Sequence, residues 1–298
     1  MPTHLLEQFS DALAAQAADV RGAVAAIRLS ERRHLTGTLW RPDVAVASEQ
    51  SLPKRDEFEL VVADGSVVNA KLVGRDPGTN IAALRLARPV ALPAFTSAEA
   101  RSGALALAFG ADGAGGVSVR MGIVNLAGPE WASSAGGRID RYIVLDLRLA
   151  RAEEGGPVLD AAGARLGITT FGPRAKVLVI PAATVERVVP ALLKDGHIAR
   201  GWLGVALQPV AVPDALHSQA GQSSGVMVMS IVDGGPAAKA GIVAGDIVVT
   251  VNGTPTRSLR RIATHLASDS IGRKAELRVI RGGTVLSLQA IVEARPAA

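Results

Sequence analysis

The stretch Arg151-Ala152-Glu153-Glu154-Gly155-Gly156-Pro157-Val158-Leu159-Asp160 sets two adjacent acids against a glycine pair, a proline and a short apolar run. Gly-Gly-Pro marks a tight turn, and Val158-Leu159 reads as the strand that leaves it. Glu154, the residue just before the glycines, decides the chemistry of the turn. A carboxylate attacks an amide poorly, and the anhydride it would form reverts or hydrolyses only with further help.

The sequence on both sides of this turn has the same short-strand texture. N-terminal to it, β-like runs cover Ala23 to Leu29, Leu35 to Trp40, Val44 to Ser48, Glu57 to Val62, Val67 to Val73 and Ile81 to Leu86. Ala104 to Phe109, Val117 to Val124 and Tyr142 to Leu147 lead up to the turn, and Arg165 to Phe171 and Lys176 to Ile180 follow it. Turn signals such as Arg41-Pro42-Asp43, Asp64-Gly65 and Asp76-Pro77-Gly78 separate them. Many short strands at a spacing of about 8 to 12 residues indicate an all-β barrel or sandwich. The glycine-rich Gly110 to Gly116 lacks the Gly-Lys-Ser/Thr ending of a phosphate cradle and precedes a strand, so it reads as a hairpin loop.

Two helical patterns bracket this β-rich region. Leu5, Phe9, Leu13 and Ala17 recur every four residues, which predicts an amphipathic helix that docks on its own domain or on another subunit. A second helix is expected over Ala183 to Lys194, stopped by Asp195-Gly196. Beyond Arg200 the pattern becomes mixed. Strands are expected at Gly201 to Leu207, Gly225 to Val232 and Ile247 to Val251, with a final hairpin of Ala275 to Ile280 and Thr284 to Val292. Gly235-Pro236 to Gly241 reads as a short helix with Pro near its start and Gly at its end, and Leu259 to Leu266 as another with Ile262 and Leu266 on one face.

Composition bounds the partners. The chain has 298 residues, enough for two domains with cores of their own. It carries a formal charge of +5, but its arginines are scattered and only 3% of residues are aromatic, which argues against a nucleic-acid surface. Cysteine is absent, which excludes disulfides, thiol nucleophiles and cysteine-held metals. No apolar run approaches the ~20 residues that span a bilayer. Met1 to Arg21 carries Glu7, Asp11 and Asp19 and does not read as a signal peptide. The expected location is therefore cytoplasmic for the sequence as written, and periplasmic if a signal has been removed.

Particular motifs carry a resemblance. Arg200-Gly201-Trp202-Leu203-Gly204-Val205, Gly235-Pro236-Ala237-Ala238-Lys239-Ala240-Gly241, Ala244-Gly245-Asp246-Ile247-Val248 and Val251-Asn252-Gly253 resemble the HtrA (Deg-type) serine proteases. So do Val73-Gly74-Arg75-Asp76-Pro77, Met121-Gly122-Ile123-Val124, Gly155-Gly156-Pro157-Val158 and Ile180-Pro181. The resemblance implies a mainly β fold: a trypsin-like double β-barrel followed by a mixed α/β PDZ domain. The corresponding boundaries are an N-terminal helix over 1–22, a protease-fold domain over 23–196, a linker over 197–200 and a PDZ domain over 201–298.

The resemblance also implies where a catalytic triad belongs. Its serine precedes Gly-Gly-Pro, where Glu154 stands; its aspartate lies in the setting Thr79-Asn80-Ile81-Ala82, where Asn80 stands. Its histidine follows a strand matched by Ala47-Ser48-Glu49, which points to Gln50, and its oxyanion-hole glycine is matched by Ala152. Independently, no histidine occurs between Leu35 and Gly196. Ser48 or Ser51 with Lys54 or Lys71 makes no recognisable Ser-Lys motif. The sequence therefore predicts no catalytic residues and a proteolytically inactive, non-enzymatic chain acting as adaptor, chaperone-like binder or regulatory subunit in protein quality control. The alternatives are an active serine-type endopeptidase with an unorthodox site and a structural partner of an active paralogue. For Glu154, two environments are open: donors of a former oxyanion hole, with Arg148 or Arg151 nearby in sequence, or solvent.

Binding is expected of the second domain. A PDZ domain adds a peptide C-terminus as a strand and receives its carboxylate on backbone N–H groups. The residues expected to do so are Arg200, Gly201, Trp202, Leu203, Gly204, Val205 and Leu207, with Ile262 and Leu266 as the opposite wall. Partners would be peptide or protein C-termini, and the family resemblance implies a homo-oligomer, a trimer, or pairing with an active paralogue. No cofactor, metal, nucleic acid or membrane insertion is expected.

Overall fold

Val67 to Asp76 shows how the first barrel forms. Along this strand Val68 and Ala70 are buried while Val67, Asn69 and Lys71 are exposed. That period of two puts one face inward, as a sheet curled around a core requires. The computed structural model describes residues 2–133, 135–256, 262, 266 and 270–295. Strands are numbered here for runs of four residues or more. They are β1 (Val24–Ser30), β2 (Arg33–Arg41), β3 (Val44–Ser48), β4 (Glu57–Val61), β5 (Val67–Asp76) and β6 (Ile81–Leu86). These six close into a barrel in the order β1-β2-β3-β6-β5-β4. Closure leaves no unpaired edge. Ile27, Leu39, Phe58, Leu60 and Leu84 fill it.

The second barrel uses β7 (Leu105–Ala111), β8 (Val117–Ala127), β9 (Ile143–Asp146), β10 (Pro157–Asp160), β11 (Arg165–Phe171) and β12 (Val177–Pro181). Its order is β9-β12-β11-β10-β7-β8, again closed. Val124, Ile143, Val158 and Val179 pack inside. Helix α2 (Ala182–Asp195) lays Val185, Val188, Val189 and Leu192 against Trp40, Val46, Ile81, Ile168 and Ile180, drawn from strands of both barrels. Arg165 is buried there between the rings of Trp40 and Phe95, at 4.2 and 4.4 Å. Burial pulls its pKa down to about 10, against the opposing pull of Glu186.

Helix α1 (Pro2–Val20) docks by its C-terminal half only. Leu13, Ala17 and Val20 pack with Val24, Phe109 and Leu159, whereas Leu5, Leu6 and Phe9 stay exposed. The expected stripe is therefore split between core and solvent.

The chain divides into two compact units, residues 1–131 with 139–198, and 132–138 with 199–298. Residues 132–138, which lie inside the stretch 23–196, cluster with the second unit. The second unit's main sheet runs β13 (Val205–Ala211), β14 (Ser224–Ile231), β15 (Ile247–Val251), β16 (Lys274–Arg281) and β17 (Thr284–Ile291), in that order. Its core holds Val226, Val228, Val248, Val251, Leu277 and Val279. The Ala244-Gly245-Asp246 turn is tied down by Asp246, fully buried, which accepts Val243 N–H at 2.9 Å and two bonds from Arg281 at 2.7 and 2.8 Å. Asn252 and Gly253 take φ of 49° and 72°, as a two-residue hairpin turn demands. Of the helix expected over Leu259 to Leu266, only Ile262 and Leu266 fall within the described residues.

Candidate functional site

The turn at Glu154 is built by backbone crowding. Gly155 has φ +91°, and a Cβ there would lie 2.4 Å from the Thr36 carbonyl oxygen. A Cβ on Gly156 would lie 1.8 Å from the Phe109 carbonyl oxygen. No other residue fits either place, so the Gly-Gly pair is a requirement of the fold whatever stands before it. Three threonines then hold the turn by its carbonyls. Thr36 Oγ1 donates to Ala152 O at 2.7 Å, Thr169 Oγ1 to Glu153 O at 3.0 Å, and Thr38 Oγ1 to Gly155 O at 2.8 Å. Arg151 to Glu153 form one 3₁₀ turn, which the strand-only reading of this region did not foresee.

This scaffold sends the Glu154 side chain inward, toward the first barrel. It is 2% exposed. Its Oε1 accepts Ser48 Oγ at 2.9 Å, Gln50 Nε2 at 2.6 Å, Thr170 Oγ1 at 2.9 Å and Phe171 N–H at 3.1 Å. Its Oε2 accepts the Ser51 hydroxyl in a short bond. The solvent-facing arrangement is thus not adopted. One backbone N–H, that of Phe171, does reach the carboxylate, but hydroxyls and an amide dominate, and neither Arg148 nor Arg151 takes part. Burial alone would push the Glu154 pKa up. The bonds from Ser51, Gln50, Phe171 N–H and Ser48 outweigh it and hold the carboxyl below the ordinary glutamate range.

The residues that the sequence singled out in this domain come together around that carboxylate. Gln50 follows β3 in a 3₁₀ turn of Glu49 to Ser51, and its backbone N–H donates to Asn80 Oδ1 at 2.7 Å. Asn80 sits at φ 57°, a left-handed conformation that asparagine tolerates better than most residues. Its Nδ2 donates to Ser48 Oγ at 2.9 Å and to Thr170 Oγ1 at 2.5 Å. Ala152 lies in the 3₁₀ turn, with its carbonyl on Thr36. Sequence reasoning missed Thr170 entirely and weighed Ser48 and Ser51 only against lysines. The signal was present: two serines flank Gln50 at the end of β3, where the chain turns toward the cleft. Among the described residues no imidazole belongs to the cluster; His34 instead bonds the Ala111 carbonyl at 2.9 Å.

The second unit presents a different kind of site. β13 is a terminal strand of its sheet and pairs only with β14 along the main path, which leaves an open edge. Gly204 has φ +74°, and its carbonyl accepts Val232 N–H at 2.8 Å. Leu203 is 2% exposed and its side chain belongs to the core. Val205, Leu207 and Ile262 line a small apolar pocket with Leu203, Val228 and Val251. Leu266 is half-buried beside them, and its carbonyl accepts Gly201 N–H at 3.0 Å. Gly201 and Trp202 pair with Ala294 and Glu293, and Arg200 precedes them half-buried. Among the described residues no cluster of His, Cys, Asp and Glu suits a metal ion.

Two closed six-stranded barrels followed by an antiparallel sheet with an open edge strand define a trypsin-like peptidase fold joined to a PDZ domain. The family models agree: a trypsin-like peptidase domain matches residues 35–168 and a PDZ domain residues 201–292. The protein from Brucella suis described as "Probable periplasmic serine endoprotease DegP-like" is 34% identical over 251 residues, 81% of this chain and 48% of its own length. A Rhizobium meliloti protein of the same description is 32% identical over 275 residues, 89% of this chain and 54% of its own. The chain spans about half the length of the curated relatives it matches. Among solved structures, "HtrA-type protease AlgW with decapeptide" is 25% identical with a TM-score of 0.74, covering 96% of this chain and 99% of that one. The chain belongs to the HtrA-type serine protease family.

These findings overturn the expectation of a non-enzymatic, proteolytically inactive chain. Relatives matched over four-fifths of its length are named serine endoproteases, and its structural neighbours HtrA-type proteases. The expectation rested on Gln50, Asn80 and Glu154 at the three triad positions, on Ala152 and on the absence of histidine from the barrel sequence, a reading of residue types that does not see the hydroxyls the fold gathers on Glu154. The cytoplasmic location also loses support, since the curated relatives carry the word periplasmic in their names.

Proposed function

We propose that this chain is a serine-type endopeptidase with an unorthodox site, in which Ser51 is the nucleophile and Glu154 its base. The observation that carries this reading is the hydrogen bond from the Ser51 hydroxyl to Glu154 Oε2, at the seam between the barrels. A hydroxyl already donating to a carboxylate is the nucleophile–base contact that acyl transfer needs. Ser48 donates to the same carboxylate but is 2% exposed, whereas Ser51 is half-buried and open to a substrate. In the proposed reaction Ser51 Oγ bonds to the peptide carbonyl carbon while its proton passes to Glu154 Oε2. That proton then moves to the amine nitrogen as the C–N bond breaks. Water cleaves the acyl ester and restores Ser51. Gln50, Asn80 and Thr170, at and beside the positions that the family resemblance gives to a triad, orient the pair through their bonds to Glu154 and to one another. A carboxyl held below its ordinary range is a weak base, so slow turnover is expected.

The PDZ domain supplies the peptide affinity. An open β13 edge, the left-handed Gly204 and an apolar pocket support binding of a peptide or protein C-terminus through Gly201 to Val205, with Arg200 beside the carboxylate end. A periplasmic location fits the names of the relatives. The exposed Leu5, Leu6 and Phe9 of α1 support a homo-oligomer. The test is cleavage of unfolded casein by purified protein, with Ser51→Ala and Glu154→Gln compared with wild type. Cleavage lost in both variants is the expected result. No cleavage by wild type, or full cleavage by Ser51→Ala, would refute the assignment.

A further inference from the structure

Glu153 and Glu154 are adjacent and both buried, at 4% and 2% exposure, but they share no bonding partner: Glu153 bonds to residues of β8 and to Ala150, Glu154 to residues at the end of β3 and on β11. Two neighbouring buried carboxylates each require donors of their own. Glu154 has only neutral ones. Glu153 has the one ion pair that the described residues make with either acid: Arg120 Nε, on β8, bridges its two oxygens at 3.0 and 3.1 Å. Ser118 Oγ donates to Glu153 Oε1 at 2.7 Å, and the Ala150 N–H to Oε2 at 2.7 Å. One carboxylate therefore ties β8 to the first residue before the 3₁₀ turn. The pocket for it exists only because residue 110 is glycine. A Cβ there would lie 2.4 Å from Glu153 Cγ and 2.8 Å from Ser118 Oγ.

We propose that Arg120 and Glu153 are positioning residues: their ion pair fixes the 151–154 turn so that the Glu154 carboxylate stays on the Ser51 and Ser48 hydroxyls. The backbone leaves little else to do it on this side. Within the turn, Glu154 N–H reaches Arg151 O only at 3.4 Å, and Glu153 N–H reaches Ala150 O at 3.0 Å. The threonine bonds hold the carbonyls of the turn, while the Glu153 clamp sets its rotation. Arg120 is 47% exposed along its side chain, so the clamp stands at the surface.

The functional half of this inference rests on the endopeptidase reading; the structural half does not. The test is therefore titration of the Glu154 side-chain carboxyl by carbon NMR, assigned with Glu154→Gln, in wild type, Arg120→Met, Arg120→Lys and Gly110→Ala, each verified as folded by circular dichroism. Arg120→Met and Gly110→Ala should move the Glu154 midpoint up toward the ordinary range by about one pH unit, and Arg120→Lys by less than half of that. Gly110→Ala displaces Glu153 without removing a charge, so it separates positioning from the bare field of Arg120. A Glu154 titration unchanged in Gly110→Ala would overturn positioning, even if Arg120→Met moved it. Casein hydrolysis is read alongside, with kcat expected to fall about tenfold in Arg120→Met at unchanged KM. Wild type that does not hydrolyse casein refutes the endopeptidase reading and leaves the titration to decide the clamp.

Discussion

At the scale of single residues, Glu154 is the position where sequence and structure part. In sequence it is an acid in place of a nucleophile. In the fold it is a buried acceptor for five donors from Ser48, Gln50, Ser51, Thr170 and Phe171. Truncation to alanine leaves these donors facing each other, at a cost of about 2–3 kcal/mol in stability, since unmade buried bonds cost more than made ones give. The pH dependence follows from the lowered pKa. The folded-state value lies below the unfolded one, so the stabilisation is fully present above the ordinary glutamate range and is lost as pH falls through the folded value. Denaturant titrations of wild type and Glu154→Gln from neutral pH downward should therefore converge in the acid range. A constant difference across that range would show that ionisation of Glu154 contributes nothing to stability.

At the scale of elements, the strands were largely legible and the 3₁₀ turns were not. Val44 to Ser48, Ile81 to Leu86 and Arg165 to Phe171 coincide with β3, β6 and β11 because turn residues border each run, Pro42-Asp43 and Pro77-Gly78 before the first two and Gly172-Pro173 after the third. β5 runs three residues past its expected end, to Asp76, because Gly74, Arg75 and Asp76 pair with β6 across a bulge that sequence alternation does not announce. The 3₁₀ turns at Glu49 to Ser51 and Arg151 to Glu153, which carry the site, are set by partners distant in sequence and have no local period to read. The Gly-Gly pair was legible as a turn, and the structure supplies the reason. Gly155→Ala places a Cβ 2.4 Å from the Thr36 carbonyl oxygen at a φ of +91°. It should destabilise the barrels by about 2–4 kcal/mol in chemical denaturation. An effect below about 0.5 kcal/mol would show that the turn relaxes freely. On the second unit, Gly204→Asp adds a Cβ at φ +74° and a negative charge where a peptide carboxylate is expected. Affinity for peptides with free C-termini should fall at least tenfold by fluorescence anisotropy, while amidated peptides bind weakly to both proteins. Equal affinity for free and amidated peptides would remove the carboxylate from the recognition.

At the scale of the whole molecule, what matters is that each unit carries its own hydrophobic core. Leu39, Leu60 and Leu84 fill the first barrel, while Val226, Leu277 and Val279 belong to the second unit's sheet. The pairing of a trypsin-like double barrel with a PDZ domain was legible from the motifs of each half. The arrangement around Glu154 was not, because side chains from β3, the turn after it and β11 meet on one carboxylate, with Asn80 bonded to Ser48 and Thr170 behind them. Separate cores make a further outcome predictable. Leu60 is fully buried and Leu277 is 2% exposed, so truncation of either to alanine should remove about 2–5 kcal/mol from the unit that contains it. In differential scanning calorimetry, Leu60→Ala should lower the transition of the barrels and leave that of the PDZ domain in place, and Leu277→Ala should do the reverse. Peptide binding offers an independent assignment, because a ligand of the PDZ domain raises only the transition of the unit it binds. If both substitutions instead shift one common transition by the same amount, the two units unfold as one. A peptide on the second unit would then stabilise the Ser51–Glu154 pair as well, and substrate capture and site order would be thermodynamically linked.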